Sequence, residues 1–440
     1  MTRSIVAIVG RPNVGKSTFF NRLIGERLAI VHETPGTTRD RLYGTTEWNG
    51  VPFTVVDTGG IAFEDKDEVN EGIMQQAQEA IDRADLILFL VDAITGPTAT
   101  DFDVADLLRQ TDKPVILVAN KADNLQRSFS AVDFYQLGMG EPMAVSAIHG
   151  TGTGDLLDEV VARIPRERED EGVAADARLA IVGRPNVGKS SMVNSLAGER
   201  RAMVSPAPGT TRDVVDTLIQ YKGASVLLVD TAGIRRRGKI EQGIEKYSVL
   251  RAVQAVERSD VAALVIDASA GMTAQDTHVA GYVLDAAKGM LVVANKWDLV
   301  KKGPTATLDY TREIKEALKF ADFVPIVFTS ALTGQRVTKV LDLALQIATE
   351  RKKRIPTAAL NGAMQEAFVQ HPPPYSRGKA LKLFYVTQAG IEPPTFVFFV
   401  NEPKLLHFSY SRYLENQIRE RFGFEGTAIR LVFKPRNERE

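Results

Sequence analysis

Two octapeptides in this chain are identical and stand 173 residues apart: Gly10-Arg11-Pro12-Asn13-Val14-Gly15-Lys16-Ser17 and Gly183-Arg184-Pro185-Asn186-Val187-Gly188-Lys189-Ser190. Each has the spacing G-x-x-x-x-G-K-S, whose glycines let consecutive backbone N–H groups curl around a phosphate chain. Lys16 and Lys189 would reach the β- and γ-phosphates. The hydroxyls of Ser17 and Ser190 would ligate magnesium, with Thr18 and Ser191 following on the helix that opens there.

Two further motifs repeat at the same offset. Asp57-Thr58-Gly59-Gly60-Ile61 returns as Asp230-Thr231-Ala232-Gly233-Ile234. Each aspartate ends an apolar strand, where a carboxylate can hold the magnesium shell while a following glycine N–H faces the γ-phosphate. Pro35–Asp40, PGTTRD, returns as Pro208–Asp213. A threonine of this loop would close on magnesium when the γ-phosphate is present. Spacing leaves Thr37 and Thr38, or Thr210 and Thr211, equally placed; we assign the role to Thr38 and Thr211.

Asn120-Lys121-Ala122-Asp123 and Asn295-Lys296-Trp297-Asp298 choose the base. A carboxylate at Asp123 or Asp298 accepts two hydrogen bonds from the N1–H and 2-amino edge of guanine. Adenine would leave that charge unpaired, a strongly discriminating mismatch. Asn120, Lys121, Asn295 and Lys296 would frame the ring, and Ser146-Ala147 and Ser330-Ala331 would add backbone contact to the guanine oxygen. The substrate expected is GTP, with GDP as product and Mg2+ as cofactor.

These residues need a scaffold that presents them twice. Short apolar runs, such as Ile5–Val9, Leu86–Val91 and Val115–Ala119 in one copy and Leu179–Val182 and Val261–Ile266 in the other, read as parallel strands buried on both faces. They alternate with helical segments, so each copy is expected to be an α/β domain with helices on both faces of a mostly parallel sheet. The expected division is GTPase domain 1 at 1–164, a charged linker at 165–176, GTPase domain 2 at 177–350 and a further module at 351–440. Hydrophobic and charged fractions of 44% and 25% fit a globular chain of 440 residues. The absence of cysteine excludes a disulfide scaffold, a thiolate zinc site and a cysteine nucleophile. The N-terminus lacks a signal-peptide pattern, and no apolar run approaches the ~18 residues of a membrane span, so no membrane partner and a cytoplasmic location are expected.

The tandem motifs, followed by a tail carrying HFSYSRYLENQIRERF at His407–Phe422, resemble the Der/EngA family of double Era-like GTPases over essentially the whole chain. That resemblance implies a monomeric GTPase acting in assembly of the large (50S) ribosomal subunit, contacts to rRNA, and an α+β KH-like C-terminal domain. Where many GTPases place a water-orienting glutamine, this chain has Ile61 and Ile234. Relatives with that replacement often use potassium, held in part by the asparagine at Asn13 and Asn186. The resemblance thus implies K+ as a charge-neutralising element and those asparagines as its ligands. A tRNA-modification GTPase shares these features but has one GTPase domain in a helical body. A nucleotide-regulated scaffold would hydrolyse at one copy only, whereas both copies here keep every motif.

Residues 351–440 hold 15 Lys and Arg against 8 Asp and Glu, a balance of +7, which leaves −8 on the first 350 residues beneath a net charge of −1. A basic module on an acidic body suggests an anionic partner. Thr357–Gln370 and Ser411–Phe422 read as helices, and Ala380–Gln388, Thr395–Val400 and Thr427–Phe433 as strands. Gly423-Phe424-Glu425-Gly426 falls between a helix and a strand, where it is a turn rather than the nucleic-acid clamp of KH domains. Phe384, Phe396, Phe398 and Phe399 are expected in core or interdomain packing rather than as base-stacking platforms. The tail is expected to dock on the second copy and sense its switch, and Arg235–Arg237 with Lys239 to present charge to RNA or to the tail.

Overall fold

A computed structural model describes residues 3–25, 43–58, 66–124, 127, 130–165, 174–198, 203–206, 216–231, 249–300, 303, 305–375 and 379–435. They form two compact units, Met1–Glu171 with Lys246–Glu257, and Gly172–Glu245 with Arg258–Glu440. Thr37, Thr38, Gly59, Gly60, Ile61, Thr210, Thr211, Ala232, Gly233, Ile234, Arg235–Arg237 and Lys239 lie outside the described residues.

The first copy runs β1 (Ser4–Val9), α1 (Lys16–Gly25), β2 (Tyr43–Trp48), β3 (Val51–Asp57), α2 (Lys66–Arg83), β4 (Leu86–Asp92), α3 (Ala99–Leu108), β5 (Val115–Asn120), β6 (Met143–Ala144) and α4 (Thr153–Arg163). Its sheet has the order β2-β3-β1-β4-β5-β6. All pairs are parallel except β2 with β3. Consecutive apolar residues fill both faces of β1 and β4, which is why these strands read as unbroken runs. Phe19 and Phe20 of α1 and Leu156 and Val160 of α4 join Val6, Ile8, Leu88 and Leu90 in one core.

The second copy repeats the plan: β7 (Ala177–Val182), α5 (Lys189–Gly198), β8 (Met203–Pro206), β9 (Thr217–Tyr221), β10 (Ala224–Val229), α6 (Val249–Glu257), β11 (Val261–Asp267), α7 (Ala274–Asp285), β12 (Gly289–Asn295), α8 (Ala306–Ala317), β13 (Ile326–Phe328) and α9 (Lys339–Lys352). The sheet order is β13-β12-β11-β7-β10-β9-β8, with β8, β9 and β10 antiparallel in turn. Helix α6 belongs to the first compact unit, where Glu257 Oε1 accepts the buried Thr54 hydroxyl at 2.9 Å and Gln254 Oε1 accepts Arg83 Nη1 at 2.9 Å.

In both sheets the chain leaves the central strand, β1 or β7, toward one edge and leaves its neighbour, β4 or β11, toward the other, so a crevice opens beyond their carboxyl ends. The G-x-x-x-x-G-K-S loops begin there. The antiparallel strands β2 and β9 did not stand out in sequence because they are edge or near-edge strands without a continuous apolar run. Their turns carry the signal instead: Asn49 and Gly50, and Lys222 and Gly223, are consecutive positive-φ pairs, the two-residue hairpin geometry that Asn-Gly favours.

The C-terminal module runs α10 (Thr357–Gln370), β14 (Leu383–Ile391), β15 (Pro394–Val400), α11 (Phe408–Phe422) and β16 (Arg430–Pro435). Antiparallel β14-β15 and parallel β15-β16 back onto the helices through Leu360, Met364, Phe396, Phe398, Leu414 and Ile418. Phe396 and Phe398 are core, as expected. Phe384 is not: it is 39% exposed, because a register irregularity between Leu383 and Tyr385 turns it outward. Phe399 is half-buried and stacks on Tyr385 at 4.3 Å.

Gly423–Gly426 is the turn between α11 and β16, and it docks on the second copy. Gly426 N donates to Phe323 O (3.0 Å), Met290 N donates to Gly426 O (2.7 Å), and Phe424 N donates to Glu350 Oε2 (2.7 Å). The Arg419 guanidinium lies 3.5 Å from the Phe323 ring centroid and donates to Phe424 O and Thr427 O. Docking therefore uses the start of β12, roughly 17 Å along the strand from Asn295. Among the described residues, no helix is long and apolar enough to cross a membrane.

Gly426 has φ +67°, and a Cβ there would lie 2.7 Å from Ile347 Cδ1 and 2.9 Å from Met290 O. Gly426→Ala is expected to destabilise the second unit by about 1–3 kcal/mol, read as a lowered urea midpoint. Gly362→Ala, inside α10 with open space at its Cβ, should leave that midpoint unchanged or raise it.

Candidate functional site

Each site is assembled from four chain segments that converge at the carboxyl ends of the strands. The P-loop follows β1 or β7. Asn13 (φ 66°) and Asn186 (φ 63°) occupy the left-handed region that asparagine tolerates. Lys16 is buried and donates through Nζ to Gly10 O (2.8 Å) and Arg11 O (2.9 Å). Burial lowers its pKa from the ordinary lysine value; the Asp57 carboxylate opposes this and the Arg11 charge adds to it. Lys189 Nζ donates to Arg184 O at 2.8 Å.

The asparagine of N-K-x-D ties the segments together. Asn120 Nδ2 donates to Val14 O (2.8 Å), and its Oδ1 accepts from Ala147 N (3.0 Å). In the second copy Asn295 Nδ2 donates to Val187 O (2.9 Å) and Oδ1 accepts from Ala331 N (2.9 Å). The lysines stand in the left-handed region at φ 68° and 60°. Lys121 Nζ donates to Asn13 O and Asp92 Oδ2, both at 2.7 Å, and Lys296 Nζ donates to Asp267 Oδ2 at 2.7 Å.

The carboxylates expected to read guanine are set differently. Asp123 Oδ1 accepts the Ser146 hydroxyl (2.7 Å) and Oδ2 accepts Arg127 Nη1 (2.9 Å). Asp298 Oδ1 is buried and has no hydrogen-bond partner among the described residues, an acceptor suited to a ligand N–H. Ala122 and Trp297 face inward: both are buried, and Trp297 packs on Phe328 and Tyr310 at 4.4 and 5.3 Å.

On the side expected to hold magnesium, Ser17 Oγ donates to Asp57 Oδ2 at 2.7 Å, so two hard oxygen donors lie side by side. Asp230 has φ 56°, and its N–H donates to Asp216 Oδ1 (3.0 Å), whose other oxygen accepts Arg258 Nη2 (2.7 Å). Thr58 donates to Ile8 O at 2.7 Å, and the Thr231 hydroxyl meets that of Thr217 at 2.8 Å, so both serve the sheet. Asp216 was not singled out in sequence. Nor were Asp92 and Asp267, although each ends an apolar strand and they repeat at 175 residues, the offset of the two N-K-x-D motifs.

Burial alone would raise the Asp92 carboxyl, but the Lys121 ammonium and the Ile94 N–H outweigh it and hold it below the ordinary value. Asp267 is lowered in the same way by Lys296 and Ser269, against burial. With the folded pKa depressed, the stabilisation is complete above the unfolded value of about 3.9 and is lost as pH falls through the folded value. Asp92→Asn should flatten that acid-side fall in stability of the first unit, followed by circular dichroism between pH 5 and 2.

Asn120→Ala would leave Val14 O and Ala147 N buried and unpaired. A loss of at least about 10-fold in GDP affinity is expected at the first site, with the second site unchanged, measured by titration with a fluorescent GDP analogue. Asn295→Ala is expected to give the mirror result.

Comparison with known proteins matches this arrangement in sequence. Residues 354–434 match the family described as the KH-domain-like C-terminal domain of EngA bacterial GTPases. Residues 5–121 and 178–296 each match a family described as 50S ribosome-binding GTPase. Among relatives, "GTPase Der" of Chloroflexus aggregans is 55% identical over 447 aligned positions, covering 100% of both chains. That of Thermomicrobium roseum is 56% identical, covering 98% of this chain and 96% of its own. That of Pelotomaculum thermopropionicum is 50% identical over 100% of both. With two P-loop sites of matched geometry and relatives of this identity along its whole length, the chain belongs to the GTPase Der family and is a GTP-hydrolysing enzyme with two G domains.

Proposed function

We propose that this enzyme is a switch in biogenesis of the large (50S) ribosomal subunit, binding that subunit or its precursor, rRNA included, in a manner set by the nucleotide. The observation that carries this reading is the full-length match to relatives named GTPase Der, with both G domains matching a family described as 50S ribosome-binding. The basic balance of the C-terminal module supports an RNA-bearing partner. In this reading the chain works as a cytoplasmic monomer, divided as 1–164, 165–176, 177–350 and 351–440.

The P-loops, with Lys16 and Lys189, hold the phosphates, and Asp123 and Asp298 read guanine. The oxygen pair of Ser17 and Asp57 fits magnesium. Ser190 and Asp230 are its counterpart, with Thr38 and Thr211 completing each shell. With Ile61 and Ile234 at the glutamine position, potassium held by Asn13 and Asn186 would neutralise charge on the reacting phosphates. The exposed carboxamides of Asn13 and Asn186, on left-handed turns of the P-loops, are hard oxygen donors suited to that ion. Bound there, K+ would supply fixed positive charge near the bridging oxygens.

Two measurements test this. GTP turnover in KCl is expected to exceed that in NaCl at matched ionic strength by about 10-fold or more; equal rates would sink the potassium assignment. The purified protein, loaded with GDP or a non-hydrolysable GTP analogue, is expected to co-sediment with 50S subunits in the analogue state and to weaken with salt. No binding in either state would overturn the ribosomal reading.

A further inference from the structure

The arginine of each P-loop does something the nucleotide-binding motif does not require. Arg11 Nε lies 3.5 Å from Asp101 Oδ2, and Arg184 Nε lies 3.5 Å from Asp276 Oδ2. The aspartates are 1% and 0% exposed. Each is also fixed from its own side. Asp101 Oδ2 accepts Thr98 N (3.0 Å) and Thr98 Oγ1 (2.7 Å), and Asp276 Oδ2 accepts Thr273 N (3.0 Å) and Thr273 Oγ1 (2.7 Å). These are the capping boxes that start α3 and α7.

The pairs are not saturated. Nε and Nη2 of both arginines and Oδ1 of both aspartates are buried without hydrogen-bond partners among the described residues. A buried, incompletely bonded ion pair is a poor stabiliser compared with apolar packing. Its presence in both copies, with the same atoms unpaired, points to a role at the loop. The backbone carbonyls of these same arginines accept the P-loop lysines at 2.9 and 2.8 Å.

We infer that Arg11 and Arg184 are positioning residues: each is held from beneath the P-loop by a capping aspartate, so that the loop's N–H groups and lysine stay aimed while charge moves on the phosphates. Ground-state binding to a loop can adapt to slack, whereas transition-state stabilisation requires preorganisation. The inference rests on both sites hydrolysing GTP.

The test uses the full chain with the second site silenced by Lys189→Ala. Asp101→Asn keeps an oxygen for the two Thr98 bonds, and hence the helix start, but removes the charge facing Arg11. We expect kcat at the first site to fall about 10-fold or more, with GDP affinity changed less than about 3-fold. Arg11→Met should match it, Arg11→Lys should recover most of the rate, and the double variant Arg11→Met/Asp101→Asn should be no worse than either single variant. The mirror variants at Arg184 and Asp276, in a Lys16→Ala parent, carry the same expectation. Unchanged kinetics, parallel losses of rate and affinity, or additive losses would each overturn the inference. A Lys189→Ala parent with no turnover would instead count against hydrolysis at the first site.

Discussion

Everything at either nucleotide site depends on one side-chain amide. Asn120 and Asn295 each use both halves of the carboxamide on backbone, donating to the P-loop and accepting from the loop after β6 or β13. A buried amide that satisfies two separate segments fixes their spacing more tightly than apolar packing, because either bond lost leaves a buried polar group unpaired. The same amide dictates a residue elsewhere in the sequence. A Cβ on Gly15 or Gly188 would lie 2.4 Å from its Nδ2, so the second glycine of each G-x-x-x-x-G-K-S is required by the asparagine. Two motifs more than a hundred residues apart are thus one structural constraint.

The C-terminal module shows how a familiar pattern can be redirected. Its G-x-x-G stands after α11 with φ +88° and +67° at the two glycines, as a nucleic-acid clamp would permit. Yet the backbone of Gly426 is bonded to Phe323 and Met290, and Arg419 covers the Phe323 ring. The small glycine surface lets the turn approach the start of β12, where the side chain of Ile347 already fills the space. The module and the second G domain therefore meet by backbone contact and a buried cation over an aromatic face, an arrangement that tolerates little slip.

Much of this architecture was legible in the sequence because the duplication repeats it. Strands buried on both faces announce themselves as apolar runs, and helix α10 has the bounds its spacing suggests. Three kinds of feature were harder to read. The hairpin strands β2 and β9 lack a continuous apolar run, although Asn49-Gly50 marks one of their turns. Phe384 follows the strand pattern but sits at an irregularity that only pairing with β15 reveals. Asp92, Asp101 and Asp216 belong to no named nucleotide motif, and their importance emerges only when the fold brings Lys121, Arg11 and Arg258 to them. For the pairs at Asp92 and Asp101 the repeat offset was a usable sign; for Asp216 the first copy offers no equivalent, since Tyr43 stands at the corresponding position.

The two copies also serve as controls for one another. What recurs in both is the tether of the P-loop: the asparagine amide, the lysine on a strand-ending aspartate, and the arginine over a capped helix. What differs lies at the two ends of the nucleotide. At the base, Asp123 is engaged by Ser146 and Arg127, whereas Asp298 keeps a buried oxygen without a partner among the described residues. At the metal side, Asp230 is held at φ 56° by a contact to Asp216. An aspartate kept in the left-handed region and pinned through its own N–H has little freedom to adjust. The duplicated domain has thus kept the tether of the P-loop common to both copies, while the surroundings of the paired motif aspartates, Asp123 and Asp298, Asp57 and Asp230, have diverged.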